Sequence, residues 1–179
     1  VLVLSKTMDG DKGGKDGERV NGYLAPFADT TNGFSTAVDV GTRIMHEQYA
    51  GSWTNETVTV ISHFGREANW VGLALAWYGH ADRIFPGELD VGRLPKDGPH
   101  PGHSIDRIVK LTRQSIEENY KQYGRRFATL VFPEGTKIAG IEQASSSIVD
   151  AHGHKKLNPE LVALAVKDIL HKYEIQAQV

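Results

Sequence analysis

Apolar residues recur along this chain with two periods, and the alternation between them predicts its layout. A strand is expected over 57–62, where Val58, Val60 and Ile61 stand among Thr57, Thr59 and Ser62, and a second over 127–132. Val1 to Leu4 reads as a third, buried strand. Between these runs the period lengthens to that of a helix. Ser35 is placed to cap a helix reaching about Tyr49, with Val38, Ile44 and Met45 on its apolar side. Residues 68–78 predict a second helix stopped by Gly79. Residues 104–123 predict a third, with Ile105, Ile108, Val109, Leu111 and Ile116 on one side and Gly124 at its end. Pro159 opens a last helix that packs through Leu161, Val162, Leu164, Ala165, Ile169 and Leu170. Strands alternating with amphipathic helices predict an α/β fold, a compact sheet with flanking helices in a three-layer sandwich. A single domain over 1–179 is expected, since no repeat or linker divides the chain.

Two segments break the pattern. Asp9 to Gly17 alternates Asp, Lys and Gly, as a surface loop does; it lacks the spacing of a Walker loop and the closing Glu of a calcium loop. Gly and Pro recur over 86–102, which argues for a long connection rather than a helix. Trp70 and Trp77, seven positions apart, are expected to pack on one side of their helix as core, although with Trp53 they could also form a substrate platform.

Composition narrows the function classes. Twenty Lys and Arg against 22 Asp and Glu give a formal charge of −2, so no broad electrostatic case for nucleic acid exists, Arg125 and Arg126 being a weak local exception. With no cysteine, thiolate nucleophiles, disulfides and Cys-containing zinc sites are excluded. The longest mostly apolar stretch, 68–78, is too short to span a bilayer, and Val1 starts on an apolar run without a basic leader. A cytoplasmic or peripheral membrane location is expected, and a secreted or processed origin stays open.

The chemistry-bearing residues sit at strand ends. His63 follows the first strong strand, and a neutral imidazole there can accept a hydroxyl proton, with Glu67 placed to orient it. Phe132-Pro133-Glu134-Gly135-Thr136 closes the other strand. Taken with His63-Phe64-Gly65, Asn69-Trp70 and Gly102-His103-Ser104-Ile105-Asp106-Arg107, that turn resembles the motifs of the phospholipid, lysophospholipid and lipid A acyltransferase superfamily over about 58–137. The family's acid five residues after the histidine is Ala68 here, and Glu67 comes one residue early. The resemblance implies acyl transfer from a thioester donor to a small hydroxyl-containing or phosphorylated acceptor, with no tightly bound cofactor. It assigns His63, Glu67 and Glu134 as catalytic or organising residues. It makes Arg107, Gly135, Thr136 and Lys137 substrate-binding, with Lys137 where the family commonly carries Arg.

Two other classes remain open on the residues alone. Eight histidines allow a zinc amidase or other metal hydrolase in which His46, Glu47 and His63 hold zinc and Glu134 activates its water. The loop pairs His100 with His103, and His152 with His154, are weaker metal ligands. A noncatalytic binding protein is the third class.

Overall fold

The computed structural model describes residues 19–20, 23–24, 33–64, 69–87, 103–139, 141, 145–149, 155–157 and 159–179. In chain order these form β1 (Arg19–Val20), β2 (Tyr23–Leu24), α1 (Phe34–Asn55), β3 (Val58–His63), α2 (Trp70–Tyr78), β4 (Arg83–Ile84), α3 (Ile105–Tyr123), β5 (Ala128–Pro133), β6 (Ser145–Val149), β7 (Lys155–Leu157), α4 (Pro159–Lys172) and β8 (Ala177–Gln178). The main sheet has the order β4-β5-β3-β8, and every pairing in it is parallel. β1 with β2, and β6 with β7, make separate antiparallel ribbons. The expected strand at Val1 and the loop from Asp9 to Gly17 lie outside the described residues, as do Glu67, His100, His152 and His154.

Strand alternation divides the interior in two. Val58 and Val60 of β3 and Ala128, Leu130 and Phe132 of β5 point toward α3 and α4, meeting Ile108, Val109, Ala163, Val166, Ile169 and Leu170. Ile61 and Val131 point the other way, to Met45 of α1 and to Val71 and Leu75 of α2. The sheet is therefore covered on both faces, as a parallel sheet requires, and the expected three-layer α/β arrangement holds. Gly41 lets the two helices of the second layer touch: a Cβ built there would stand 2.5 Å from a methyl group of Leu75.

Local chemistry explains the element ends. Ser104 accepts the Arg107 N–H at 3.2 Å and caps α3. α1 outruns its expected end near Tyr49 and continues to Asn55, where Glu56 turns the chain at φ 50° and its N–H closes on the Ser52 carbonyl. The Glu56 carboxylate then accepts from the Arg125 guanidinium at 2.9 Å and the Arg126 N–H at 3.1 Å, tying the start of β3 to the start of β5.

At that same end of the sheet, Asp82 accepts the Thr129 N–H at 2.7 Å and the Asn119 amide at 2.9 Å. Burial pushes its carboxyl upward, against the lowering effect of those donors. The tryptophans depart from the expected core. Trp53 packs beside Tyr123 and Phe127, but Trp70 and Trp77 face outward at 50% and 80% exposure. No platform of three forms.

Candidate functional site

β3, β5 and β4 run parallel, so their carboxyl ends finish on one rim, the edge where open α/β sheets expose their turns. His63 is the last residue of β3 and lies in register with Pro133 of β5. The Glu134 N–H donates to the His63 carbonyl at 2.9 Å, and the Thr136 N–H closes the turn on the Pro133 carbonyl at 2.9 Å. The 71-residue separation between His63 and Glu134 is thus spanned by two adjacent strands. Sequence spacing brings these two residues together as expected.

The rim is built by neighbours that carry no chemistry of their own. Phe85, beyond β4, stacks on Phe132 at 4.5 Å and meets His103 edge-on at 5.4 Å. The Thr136 hydroxyl donates to the Phe85 carbonyl at 2.7 Å, and the Gly87 N–H donates to the Asn69 side-chain oxygen at 2.9 Å. Gly87 sits so close to the β5 turn that a Cβ there would stand 2.8 Å from the Gly135 carbonyl carbon. His103 closes the far side. Its Nε2–H donates to the Pro86 carbonyl at 2.9 Å, its own N–H donates to the Lys137 carbonyl at 2.7 Å, and its carbonyl receives the Ala139 N–H at 2.9 Å. The Nε2–H tautomer follows from the carbonyl partner, which can only accept. The start of α3 is therefore pinned to the segment carrying Lys137, and Arg107 follows one helical turn later.

Each sequence candidate now has a place. Glu134 is half-buried at the rim, Gly135 is buried against Gly87, and Lys137 and Arg107 are exposed. Thr136 is 1% exposed and its one hydroxyl hydrogen is given to Phe85, so it holds the turn rather than offering a donor to phosphate.

His63 is turned inward. Its Nδ1–H donates to the Phe64 carbonyl, and its Nε2 lies against Gly72 of α2, where a Cβ would come within 2.3 Å of it. That nitrogen is buried with no hydrogen-bond partner among the described residues. Burial holds the imidazole below its usual range, the Phe64 carbonyl opposing. The nitrogen that would take a proton from a hydroxyl is covered by a helix, so the general-base geometry expected of His63 is absent.

The zinc arrangement also fails to assemble. His46 and Glu47 are exposed on α1, and the His46 Nε2–H donates to the Tyr78 carbonyl at 3.0 Å while its ring stacks on His80. His63 packs on α2 at Gly72, six residues and about 9 Å along the helix from Tyr78. Among the described residues no group of three or more His, Asp or Glu could hold a metal ion.

Sequence reasoning gave no role to Gly87 or Asp82 and placed Asn69 only within the Asn69-Trp70 motif of the acyltransferase resemblance. The Pro86-Gly87 pair after a short apolar run was the available signal for Gly87, and an acid just before β4 for Asp82.

Comparison with known proteins overturns the acyltransferase resemblance. No family model matches the chain. It is 26% identical over 150 residues to the ATP-dependent 6-phosphofructokinase 2 of Clostridium perfringens, covering 84% of this chain and 33% of that protein. It is 27% identical over 166 residues to the namesake enzyme of Streptomyces coelicolor, covering 92% and 40%. It is 28% identical over 131 residues to the pyrophosphate--fructose 6-phosphate 1-phosphotransferase of Dictyoglomus thermophilum, covering 72% and 33%. The chain spans about a third of the length of these relatives.

Among solved structures, phosphofructokinase from Saccharomyces cerevisiae superposes with a TM-score of 0.61 at 20% identity, covering 98% of this chain and 18% of that one. The pyrophosphate-dependent phosphofructokinase from Nitrosospira multiformis gives 0.59 at 15% identity, covering 97% and 34%. Acyl transfer, the thioester co-substrate, lipid metabolism and the zinc hydrolase therefore lose their support, and with the lipid goes the motive for membrane contact. No helix among the described residues is long and apolar enough to cross a membrane. Likeness in sequence and likeness in structure agree on one group of proteins, and the α/β fold of this chain is that of the phosphofructokinases.

Proposed function

We propose that the chain, as one α/β domain, contributes a sugar-phosphate site to a phosphotransferase that moves a phosphoryl group onto fructose 6-phosphate. The observation that carries this reading is the agreement of the curated relatives: all are 6-phosphofructokinases or the corresponding phosphotransferase, matched over 72–92% of this chain. The rim supports it chemically. Phosphoryl transfer asks a protein mainly for positioning and charge. Exposed Lys137 and Arg107 supply cations for a phosphate dianion, and Gly135 lets the turn that carries Lys137 pack closely on Gly87. Glu134 accepts a hydrogen bond from a sugar hydroxyl. The donor is a nucleoside triphosphate or pyrophosphate, both named among the relatives, which suits a cytoplasmic setting. Divalent cation enters such a reaction bound to the donor's phosphates.

Isothermal titration of the full chain with fructose 6-phosphate, fructose and inorganic phosphate tests the site directly. Fructose 6-phosphate should bind best, and Lys137→Ala and Arg107→Ala should each weaken it about tenfold or more, as loss of a charge-assisted contact does. Coupled assays with ATP and with pyrophosphate, both containing magnesium, then distinguish the donors. Equal binding of fructose and fructose 6-phosphate, or binding unchanged by both substitutions, would overturn the assignment.

A further inference from the structure

β4 spans two residues, and the chain leaving it soon reaches Pro86, which has no N–H to give to a ladder. Backbone polar groups held away from water need partners. From Phe85 to Gly87 side chains of other elements supply them as the ladder stops. The Phe85 N–H still donates to the Val131 carbonyl at 2.9 Å, and the Phe85 carbonyl accepts the Thr136 hydroxyl at 2.7 Å. The Pro86 carbonyl accepts the His103 Nε2–H at 2.9 Å, and the Gly87 N–H donates to the Asn69 Oδ1 at 2.9 Å. Those last two groups are the C=O and the N–H of one planar peptide unit. It is held on one side from the start of α2 and on the other from just ahead of α3, by two side chains that are themselves buried. We propose that Asn69 and His103 are paired positioning residues whose hold on the Pro86-Gly87 peptide sets the preference of the rim for a phosphorylated over an unphosphorylated sugar, a role that rests on the phosphotransferase reading and deepens it.

Glycine tolerates φ of either sign, so nothing in Gly87 itself fixes the tilt of that peptide plane. With a hydrogen bond on each side, the plane cannot rotate without breaking one of them. The tilt matters because Gly87 lies against the turn that carries Glu134 and Lys137: an added Cβ would stand 2.8 Å from the Gly135 carbonyl carbon and 3.2 Å from the Thr136 nitrogen. Rotation would press Gly87 into that turn or withdraw it.

His103 extends the same reference to both cations. Its N–H holds the Lys137 carbonyl at 2.7 Å, and the next residue, Ser104, caps the Arg107 N–H at 3.2 Å. Lys137 and Arg107 are thus both placed relative to one peptide. Charge-assisted bonds from two cations to one phosphate need a fixed spacing, and they weaken steeply with misalignment. A sugar hydroxyl turns its hydrogen to suit a displaced acceptor such as Glu134. Loosening the peptide therefore costs the phosphorylated sugar more than the bare one.

Isothermal titration of the full chain with fructose 6-phosphate and with fructose measures the preference in wild type, Asn69→Ala, His103→Phe and the double variant. Phe keeps a ring edge-on to Phe85 and removes the donor. Each single variant should lower the ratio of the two affinities about tenfold, as follows when a buried polar group loses its partner. The double variant should lose little more than either single one, because both release the same peptide. Asn69→Asp keeps an oxygen acceptor and should recover most of the preference. Hydrogen exchange at the Gly87 amide, followed by NMR, should be slow in wild type and Asn69→Asp and fast in Asn69→Ala, while the Leu130 amide follows only the change in global stability. A merely structural role would weaken both sugars alike, and that result overturns the assignment. So do additive losses in the double variant, or an unchanged preference in folded Asn69→Ala, which decides the matter alone if His103→Phe does not fold. A wild type that binds fructose 6-phosphate no better than fructose overturns the phosphotransferase reading and this assignment together, whereas a wild-type preference that the variants share overturns this assignment only.

Discussion

Gly87 and Gly135 bring two backbones closer than any side chain would allow. A Cβ at Gly87 would lie 2.8 Å from the Gly135 carbonyl carbon and 3.2 Å from the Thr136 nitrogen, and these are backbone atoms that cannot swing aside. Gly87→Ala must therefore move the turn that carries Glu134 and Lys137. Urea denaturation should show a loss of about 1–3 kcal/mol, as overpacking costs, and fructose 6-phosphate binding should weaken with it. His63 supports a second prediction, about pH. Burial lowers its folded pKa below the ordinary histidine value of about 6.5, so the unfolded chain takes up a proton first as pH falls. Its contribution is constant above about pH 6.5 and turns destabilising below it. Asp82, raised by burial, works in the opposite sense at lower pH and is common to wild type and variant. The urea midpoint should drop between about pH 7.5 and about pH 5.5 in wild type, and drop less in His63→Gln. Equal drops in the two proteins would show that His63 is not the group responsible.

At the scale of elements, α3 ends by short-range rules, whereas the expected Ser35 cap of α1 does not form: that helix starts at Phe34, after Gly33, with no side-chain cap. α3 starts at a Ser104 cap and stops at Gly124, which adopts φ 70°, a conformation that costs an L side chain steric strain. Nothing lies within 4 Å of a Cβ there, so strain alone decides the outcome. Gly124→Ala should lower the melting temperature by an amount equivalent to about 1 kcal/mol, with α3 frayed at its last turn. The Gly124 stop was legible in the sequence, as were β3 and β5, whose apolar runs are long enough to stand alone; Ser104 was read as the first helical residue and is instead the cap. β4 was not, because two residues of β-structure carry no period, and Arg83 and Ile84 are strand only through pairing with Leu130 and Val131. α1 was read short for a related reason. Residues 50–55 lack an apolar stripe, and the helix persists to the Glu56 turn through packing, as buried Ser52 shows.

Across the whole molecule, the layer order was legible and the family was not. Alternating periods specify a parallel sheet between helices, and such a sheet ends its neighbouring strands on one rim whatever reaction it serves. His63 and Glu134 were rightly brought together because β3 and β5 are adjacent, and that adjacency is common to many α/β enzymes. What misled was chemistry read from residue type. A histidine at a strand end suggests a base until Gly72 is seen to receive it, and Trp70 and Trp77 suggest core until α2 is seen to turn them outward.

The strand order β4-β5-β3-β8 also sets the sequence of events during synthesis. β3 leaves the ribosome first and β4 follows, yet these two strands never pair, because the slot between them belongs to β5. Until residue 133 has emerged, α1 and α2 have no sheet to rest on, and β3 and β4 each present two unpaired edges. The arrival of β5 fills the slot, and Phe132 meets Phe85 across it. Wrong pairing is thus easiest before β5 emerges; its arrival joins β3 to β4 and leaves the other edge of β3 for β8.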